Sequence, residues 1–258
     1  MSFFSIEFSI LLLLFFILYW SIPFLSWRNL SLLAFNYLVI YLFSPYFALI
    51  VLIYTCLVYS LALFIDSLRT RFALLASMIF VLLFLCFFKY YSYIKDEFDA
   101  LLALLGLDFL EIDIIFPLGI SFYTFASITY LCSVYENSKY LAQDDYYQEE
   151  NPALESFVGV ATYLSFFATF MAGPIMRSES FFSQYHTKRE FGSIDMIITL
   201  ILFGFVKKAI IANYLGIYAM PILNTPFEYH ALELLSALFA YSIQLYCDFS
   251  GYVNLVCA

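Results

Sequence analysis

Four polar side chains interrupt an apolar run near the end of the sequence. Tyr241, Gln244, Asp248 and Tyr252 follow one another at intervals of three, four and four residues, within a run that begins at Leu234. Those intervals bring the four side chains onto one face of an α-helix. A carboxylate at membrane depth costs about 2.5–3.5 kcal/mol, so an apolar helix that carries Asp248 is a candidate functional segment. We predict that Gln244, Asp248 and Tyr252 line a protein interior or a water-filled cavity.

A second candidate segment combines helix-breaking residues with hydroxyl groups. Pro117 and Gly119 lie within an apolar stretch and are followed by Ser121, Tyr123 and Thr124. A broken helix frees backbone carbonyls, and carbonyls beside hydroxyls are able to line a polar cavity inside a membrane protein. We therefore name Ser121 and Tyr123 as further cavity-lining candidates. A kinked helix that only packs against its neighbours is an equally good interpretation of the same pattern.

Three basic residues are candidates for binding an anionic group. Arg177 follows the helix-stopping pair Gly173 and Pro174, and its planar guanidinium suits a phosphate. Lys207 and Lys208 lie near the end of another apolar segment, where an ammonium group has to reach water, a lipid phosphate or a carboxylate. The alternative is that all three side chains only anchor the chain among the lipid headgroups.

The composition indicates a membrane protein with several spanning segments. Of the 258 residues, 64% are hydrophobic and 12% are charged, whereas soluble domains carry about 25% charged residues. The net charge of −9 comes largely from two acidic clusters, which we predict to be solvated loops. The chain has no basic stripe of the kind that binds nucleic acid. The two clusters consist of Asp96, Glu97, Asp99, Asp108, Glu111 and Asp113, and of Glu136, Asp144, Asp145, Glu149, Glu150 and Glu155.

We predict an all-α, polytopic fold with about eight membrane-embedded segments, some of them re-entrant because they are shorter than the roughly 20 residues that a span requires. An amphipathic helix at the membrane interface is expected at 178–191. Arg28 and the pair Arg69 and Arg71 are separated by two segments and therefore lie on one side, which the positive-inside rule makes cytoplasmic. The segments are predicted at 3–24, 30–43, 47–65, 72–88, 114–134, 157–171, 194–211 and from 234 to the end.

Cysteine and histidine usage predicts no metal site. Five cysteines lie singly in apolar surroundings, so zinc motifs and disulfide frameworks are unsupported, and no bound cofactor is expected. The two histidines, His186 and His230, are expected to be surface or interface residues.

Four strings, in the same order and at similar spacing, resemble the membrane-bound O-acyltransferase family, in particular its alginate O-acetylation branch. The resemblance covers the chain from about residue 115 onwards. The strings are Pro-Leu-Gly-Ile-Ser-Phe-Tyr-Thr-Phe at 117–125, Ala-Gly-Pro-Ile-Met-Arg at 172–177, Gly-Phe-Val-Lys-Lys at 204–208 and Asp-Phe-Ser-Gly-Tyr at 248–252.

The resemblance implies that residues 1–258 are a single transmembrane domain, the N-terminal portion of such an acyltransferase core. It implies acetyl transfer from cytoplasmic acetyl-CoA towards an extracytoplasmic polysaccharide, a cell-surface glycan or a separate extracytoplasmic acetyltransferase, in a bacterial inner membrane. Arg177, Lys207 and Lys208 would then contact the phosphates of the acyl-CoA. The family's histidine is expected beyond Ala258, so no catalytic residue is assigned and the 258-residue chain alone is expected to be inactive.

Other classes of membrane protein remain as alternatives. The first is a non-catalytic scaffold or polysaccharide-export component, in which the polar face of the last helix only packs. A transporter is less favoured, because no internal repeat is visible. A channel is disfavoured as well, because the chain has neither a carbonyl-filter motif nor a repeated ring of charges.

Overall fold

The computed structural model describes residues 6–104, 116–143, 154–170, 173, 176–187 and 192–257. These residues form helices, turns and short loops, and none of them is in a strand, so the prediction of an all-α fold is confirmed. The helices are α1 (Ile6–Ser21), α2 (Leu25–Phe43), α3 (Pro45–Leu68), α4 (Arg71–Leu104), α5 (Ile120–Gln143), α6 (Phe157–Leu164), α7 (Phe167–Phe170), α8 (Ser178–Tyr185), α9 (Ile194–Phe205), a π-helical segment (Val206–Ala212), α10 (Asn213–Asn224), a 3-10 turn (Pro226–Glu228) and α11 (Ala231–Cys257).

Several of the predicted segments differ from the helices that are observed. Helices α4 and α5 continue past the predicted segments 72–88 and 114–134, and the helical arm that begins at Ile194 continues past residue 211. The segment predicted at 157–171 is divided into α6 and α7 at Ser165, where the backbone leaves the helical conformation with φ −94° and ψ 4°. The Ser165 hydroxyl donates to the carbonyl of Ala161 at 2.6 Å. Whether Pro117 and Gly119 interrupt a helix stays a prediction, because residues 105–115 lie outside the described residues. Residues 116–119 precede α5, and Gly119 adopts a left-handed φ of 73° immediately before the helix begins at Ile120.

The prediction that the acidic clusters are solvated loops was wrong at several positions. Helix α4 continues through Asp96, Glu97 and Asp99 as far as Leu104, and α5 includes Glu136. Glu155 is 8% exposed. The remaining acids of both clusters lie outside the described residues, as do Ala172, Pro174 and Ile175 of the second resembling string.

The chain divides into two compact units. The first comprises Met1–Met171 and Ile175–Lys188, and the second comprises Ala172–Pro174 and Arg189–Ala258. Each unit is built from helices whose apolar faces pack together.

In the first unit, the chain reverses direction between α2 and α3 at a single residue, Ser44. Ser44 is extended, with φ −165° and ψ 132°, and ends α2 while Pro45 opens α3 at a position where its missing N–H costs nothing. Because the two helices run in opposite directions, Arg28 near the start of α2 and Arg69 at the end of α3 lie at the same end of the pair. This agrees with the predicted common side of the arginines.

The core of the first unit joins α3, α4, α5, α6 and α8. Its largest buried side chains include Tyr54, Tyr123 and Tyr130, none more than 1% exposed. Tyr54 lies against Phe84 with ring centroids 5.0 Å apart, and its hydroxyl hydrogen-bonds to Ser127 Oγ at 2.7 Å. A smaller cluster joins α1 to α2 through Phe8, Phe35 and Val39.

The outer helix faces are unusually apolar for a protein surface. Two of the described helices, at Pro45–Leu68 and Arg71–Tyr91, are long and apolar enough to cross a membrane, and Glu7–Ser21 is a shorter apolar helix. Large hydrophobic side chains such as Leu13 and Leu83 are 60% or more exposed. Exposed apolar bands of this kind are typical of surfaces that meet lipid or another protein.

The second unit is a helical hairpin. Its first arm runs without interruption through α9, the π-helical segment and α10, and its second arm is α11. Small residues lie where the arms meet, among them Gly204, Ala237, Cys247 and Gly251. Close approach of helices through small side chains is the usual packing mode when lipid removes the hydrophobic driving force between helices.

Candidate functional site

The two lysines predicted to bind anions lie on the π-helical segment of the second unit. Lys208 Nζ lies 2.5 Å from Asp248 Oδ1 on α11. Lys207 Nζ donates to Ser250 Oγ at 2.9 Å. The structure therefore brings the third and fourth resembling strings together, although about 40 residues separate them in sequence. We call Lys207, Lys208, Asp248 and Ser250 the lysine cluster.

Gly204 and Gly251 allow the first arm and α11 to approach closely where the lysine cluster forms. A Cβ atom on Gly251 would lie 2.9 Å from the carbonyl oxygen of Gly204 and 3.0 Å from the backbone nitrogen of Lys208. The helix backbones thus approach as closely as backbone atoms allow. This contact holds the base of the Lys208 side chain against α11, next to Asp248 and below the ring of Tyr252, whose centroid is 5.8 Å from Lys208 Nζ.

The two lysines differ in their electrostatic state. Lys208 is paired with a carboxylate, so the charges of Lys208 and Asp248 largely cancel for any outside ligand. Lys207 is paired with a neutral hydroxyl and keeps its net positive charge. Asp248 remains 54% exposed and Lys208 is 19% exposed. Within the lysine cluster, Lys207 is therefore the better candidate for an anionic ligand.

Gln244 lies one turn before Asp248, against α10. A Cβ atom on Gly216 would come within 2.8 Å of Gln244 Nε2, so a side chain at Gly216 would force the Gln244 amide to shift. Gln244 Oε1 is buried and has no hydrogen-bond partner among the described residues. An unpaired buried amide oxygen costs about 1–3 kcal/mol, which makes Gln244 a position where a ligand or water donor would be stabilising.

Ser121 and Tyr123, the other predicted cavity-lining residues, lie near the start of α5 in the first unit. Ser121 is half-buried, and Tyr123 is 1% exposed between Tyr54 and Phe170, at centroid distances of 4.8 and 5.7 Å. The Tyr123 hydroxyl has no hydrogen-bond partner among the described residues. Arg177, the third predicted anion contact, is exposed and directly precedes α8 in the first unit.

Sequence reasoning missed a polar site that the structure forms between α5, α6 and α8. His186 Nε2 lies 2.8 Å from Glu155 Oε2, with side-chain exposures of 58% and 8%. Burial raises the pKa of the Glu155 carboxyl, while the hydrogen bond and charge of His186 act in the opposite direction. These two residues border a cavity of about 290 Å³. The one sequence signal for this site was that Glu155 directly precedes a helix-capping serine. Ser156 caps α6 by accepting a hydrogen bond from the N–H of Gly159.

No group of three or more potential metal ligands occurs among the described residues. The cysteines within those residues are all free thiols.

The sequence comparisons identify relatives over most of this chain. A probable alginate O-acetylase from Pseudomonas syringae pv. tomato is 32% identical over 187 residues, which are 70% of this chain and 33% of that protein. A second, from Pseudomonas aeruginosa, is 31% identical over 194 residues, 72% of this chain and 34% of that protein. The chain is a homologue of the alginate O-acetylases.

A more distant relative of this alginate O-acetylase homologue is the peptidoglycan O-acetyltransferase of Helicobacter pylori. It is 26% identical over 185 residues, which are 66% of this chain and 34% of the relative. The predicted resemblance to the alginate O-acetylation branch of the membrane-bound O-acyltransferases is thereby confirmed. No protein-family model matches the chain. The chain spans about a third of the length of these relatives.

Proposed function

We propose that this chain is part of a membrane O-acyltransferase that moves an acetyl group from cytoplasmic acetyl-CoA towards an extracytoplasmic polysaccharide. A relay protein or a separate extracytoplasmic acetyltransferase is an equivalent immediate acceptor. The observation that carries the proposal is the similarity to alginate O-acetylases and a peptidoglycan O-acetyltransferase over about two thirds or more of this chain. The exposed apolar helix faces support the membrane part of the proposal.

We further infer a bacterial inner membrane and about eight membrane-embedded segments. In this arrangement α6 and α7 together form one broken segment, and α9 with the π-helical segment and α10 forms another. The chain is then the N-terminal portion of a single transmembrane acyltransferase domain. The end of the α2–α3 pair that carries Arg28 and Arg69 faces the cytoplasm under the positive-inside rule.

The proposed donor contact is electrostatic. The phosphates of acetyl-CoA carry negative charge, and Lys207 and exposed Arg177 are cations without a carboxylate partner in the pairings described above. Lys208 is neutralised by Asp248 and serves to position α11. Gln244 and Tyr252 are proposed to line the path of the acyl group, together with Ser121 and Tyr123.

Acetyl transfer from a thioester to a hydroxyl needs a base that removes the hydroxyl proton. Asp248 is a poor base for this step, because it is ion-paired with Lys208 and an ionised carboxylate has little tendency to abstract an alcohol proton. We therefore assign the base to none of the described residues. Asp248 has an electrostatic, positioning role in the proposal.

Photolabelling with a radioactive acyl-CoA analogue tests the donor contact. Membranes that contain the chain should be labelled, and Lys207→Glu should lower the labelling at least fivefold at limiting probe. Lys89→Glu is the matched control, since Lys89 is an exposed lysine on α4 whose ammonium lies over the ring of Tyr90. Absence of labelling in correctly folded protein would contradict the acyltransferase proposal and favour a non-catalytic scaffold or export component.

A further inference from the structure

The cavity beside Glu155 and His186 lies entirely within the first unit. Its lining comes from α5, from the residue before Ser156 and from α8, and it includes Tyr130, Asn137, Glu155, Glu179, Phe182 and His186. Its volume of about 290 Å³ is at the small end of the range for ligand sites and suits a small polar molecule. It opens to the surface beside Glu179 and His186, both of which are exposed.

Two contacts locate this cavity along the helix bundle. Asn29 Nδ2 donates to the backbone carbonyl of Tyr185 at 3.1 Å, so the C-terminal end of α8 lies beside the start of α2, next to Arg28. The Tyr185 ring in turn lies beside that of His186, which borders the cavity, at a centroid distance of 5.3 Å. The cavity therefore belongs to the arginine-bearing end of the first unit. Its assignment to the cytoplasmic side rests on the membrane orientation in the proposed function, whereas its chemistry does not.

The charge of the cavity favours a cation. Glu155 is 8% exposed, so its carboxylate is poorly solvated, and among the described residues only its Oε2 atom is occupied, by the contact with His186. Glu179, in the first turn of α8, contributes a second carboxylate, which also complements the positive end of that helix. An anionic ligand would have to approach both acids. A cation would reduce the cost of keeping Glu155 charged.

A buried hydroxyl group, that of Tyr130, borders the same cavity. The Tyr130 side chain is fully buried and lines the cavity, and its hydroxyl has no hydrogen bond of good geometry among the described residues, although the backbone of Glu155 is near. The neighbouring serine hydroxyls are satisfied, because Ser133 and Ser178 hydrogen-bond to each other at 2.8 Å. Tyr130 therefore retains hydrogen-bonding capacity that a ligand would use.

The cavity also offers an aromatic wall. Phe182 and Tyr130 lie with ring centroids 5.9 Å apart and an interplanar angle of 55°. Aromatic faces attract cations and accommodate a short aliphatic body, whereas a hydrated metal ion gains little from them.

From these features we propose that the cavity between α5 and α8 binds a small organic cation, namely a primary ammonium group on a short polar body. The ammonium group donates to the Glu155 carboxylate, and the body lies against Phe182 with its polar end at the Tyr130 hydroxyl. The ammonium group is supplied either by a soluble amine or by the headgroup of an amino lipid at the membrane surface. This site is separate from the lysine cluster and uses none of its residues.

Ligand-observed NMR with ethanolamine as the probe tests this proposal on the detergent-solubilised full chain in an uncharged maltoside. The methylene signals of ethanolamine should broaden on addition of the protein. Ethylene glycol, which has nearly the same size and no charge, should not broaden. Glu155→Gln should weaken ethanolamine binding at least tenfold, and Tyr130→Phe should weaken it several-fold. Glu228→Gln, which removes an exposed acid of the second unit, should leave it unchanged.

The remaining outcomes also decide the matter. Equal broadening of both probes, no broadening of either, or binding that is unaffected by both Glu155→Gln and Tyr130→Phe would overturn the proposal. Tyr130→Phe keeps the ring, so it remains informative if Glu155→Gln fails to fold. Addition of phosphatidylethanolamine distinguishes the two sources of the ammonium group. If the lipid competes with ethanolamine, the natural ligand is a lipid headgroup, and if it does not compete, the natural ligand is a soluble amine. No step depends on acyl transfer, so failure here leaves the photolabelling result standing.

Discussion

The carbonyl oxygen of Gly204 lies so close to Gly251 that no room remains for a side chain on Gly251. A Cβ atom at Gly251 would be 2.9 Å from that oxygen and 3.0 Å from the backbone nitrogen of Lys208. Backbone atoms of a packed helix cannot rotate away as a flexible side chain does. The second unit therefore depends on the absence of a side chain at this position, and the lysine cluster depends on the same contact.

Replacement of Gly251 by alanine should destabilise the chain. The added methyl group has to push α11 away from the opposing arm, and overpacking of this kind costs about 1–3 kcal/mol. Thermal unfolding in detergent should show a lowered midpoint for Gly251→Ala. The matched control is Gly192→Ala, because a Cβ atom there would meet nothing within 4 Å. Equal midpoints for the two variants would contradict the close approach described here.

The ion pair between Lys208 and Asp248 should contribute modestly to stability. Asp248 is 54% exposed, and exposed pairs typically contribute about 0.2–1 kcal/mol. A double-mutant cycle with Lys208→Gln and Asp248→Asn should give a coupling free energy of this size. The cycle Lys207→Gln with Ser250→Ala supplies the comparison with a neutral partner. Strictly additive single variants at 208 and 248 would argue against the pair.

Loss of the Tyr163 hydroxyl should be costly. Tyr163 is 3% exposed and its hydroxyl donates to the carbonyl of Met176 at 2.6 Å, with Thr129 Oγ1 at 2.8 Å. Tyr163→Phe leaves the part-buried carbonyl of Met176 with one donor fewer, so we expect about 1–3 kcal/mol of destabilisation. Tyr218→Phe removes a comparable hydrogen bond, to Ser236 at 2.7 Å, at an exposed site. Its effect should stay within about 0.5 kcal/mol. Thermal midpoints of the two variants that shift equally would contradict this account.

Stability should decrease as the pH rises through the titration of Glu155. Burial raises the pKa of this carboxyl above its ordinary value, in spite of the opposing effect of His186. The folded chain then holds a proton that the unfolded chain has already released, so the free energy of unfolding falls between the ordinary and the raised pKa and levels off above both. The exposed carboxylate of Glu179, which lines the same cavity, adds to the local negative charge.

The unfolding midpoint measured against pH checks this sign. In the pH window just above the ordinary pKa of a carboxyl group, the unfolding midpoint of Glu155→Gln should fall less steeply with pH than that of the wild type. The midpoint of Glu228→Gln should fall as the wild-type midpoint does. A wild-type midpoint that rises across that window would mean that the pairing with His186 outweighs burial.

Local patterns in the sequence predicted the helices and the polar face of α11. The resembling strings also led to the correct relatives. The burial of Glu155 was not predictable, because its partner His186 lies 31 residues further along the chain and the contact forms only when α8 packs beside α6. Helix α4 extends past the predicted end at residue 88 because charged residues such as Lys89, Lys95 and Glu97 have helix propensities close to those of Leu and Met. A prediction from hydrophobicity alone therefore ended this helix too early in the sequence.

The π-helical segment gives the second unit a register that is sensitive to chain length. Gly204 and Gly216 both face α11, yet twelve residues of regular α-helix would turn them about 120° apart. One extra residue accommodated in a π-bulge restores them to within about 20° of a common face. Deletion of one residue from Val206–Ala212 would leave eleven steps of regular α-helix and keep Gly216 on the face that meets Gln244, whereas insertion of one residue would add a step of about 100° and rotate Gly216 away from it. Insertions in this stretch should therefore be excluded during evolution more strictly than single deletions or substitutions at its outward-facing apolar positions.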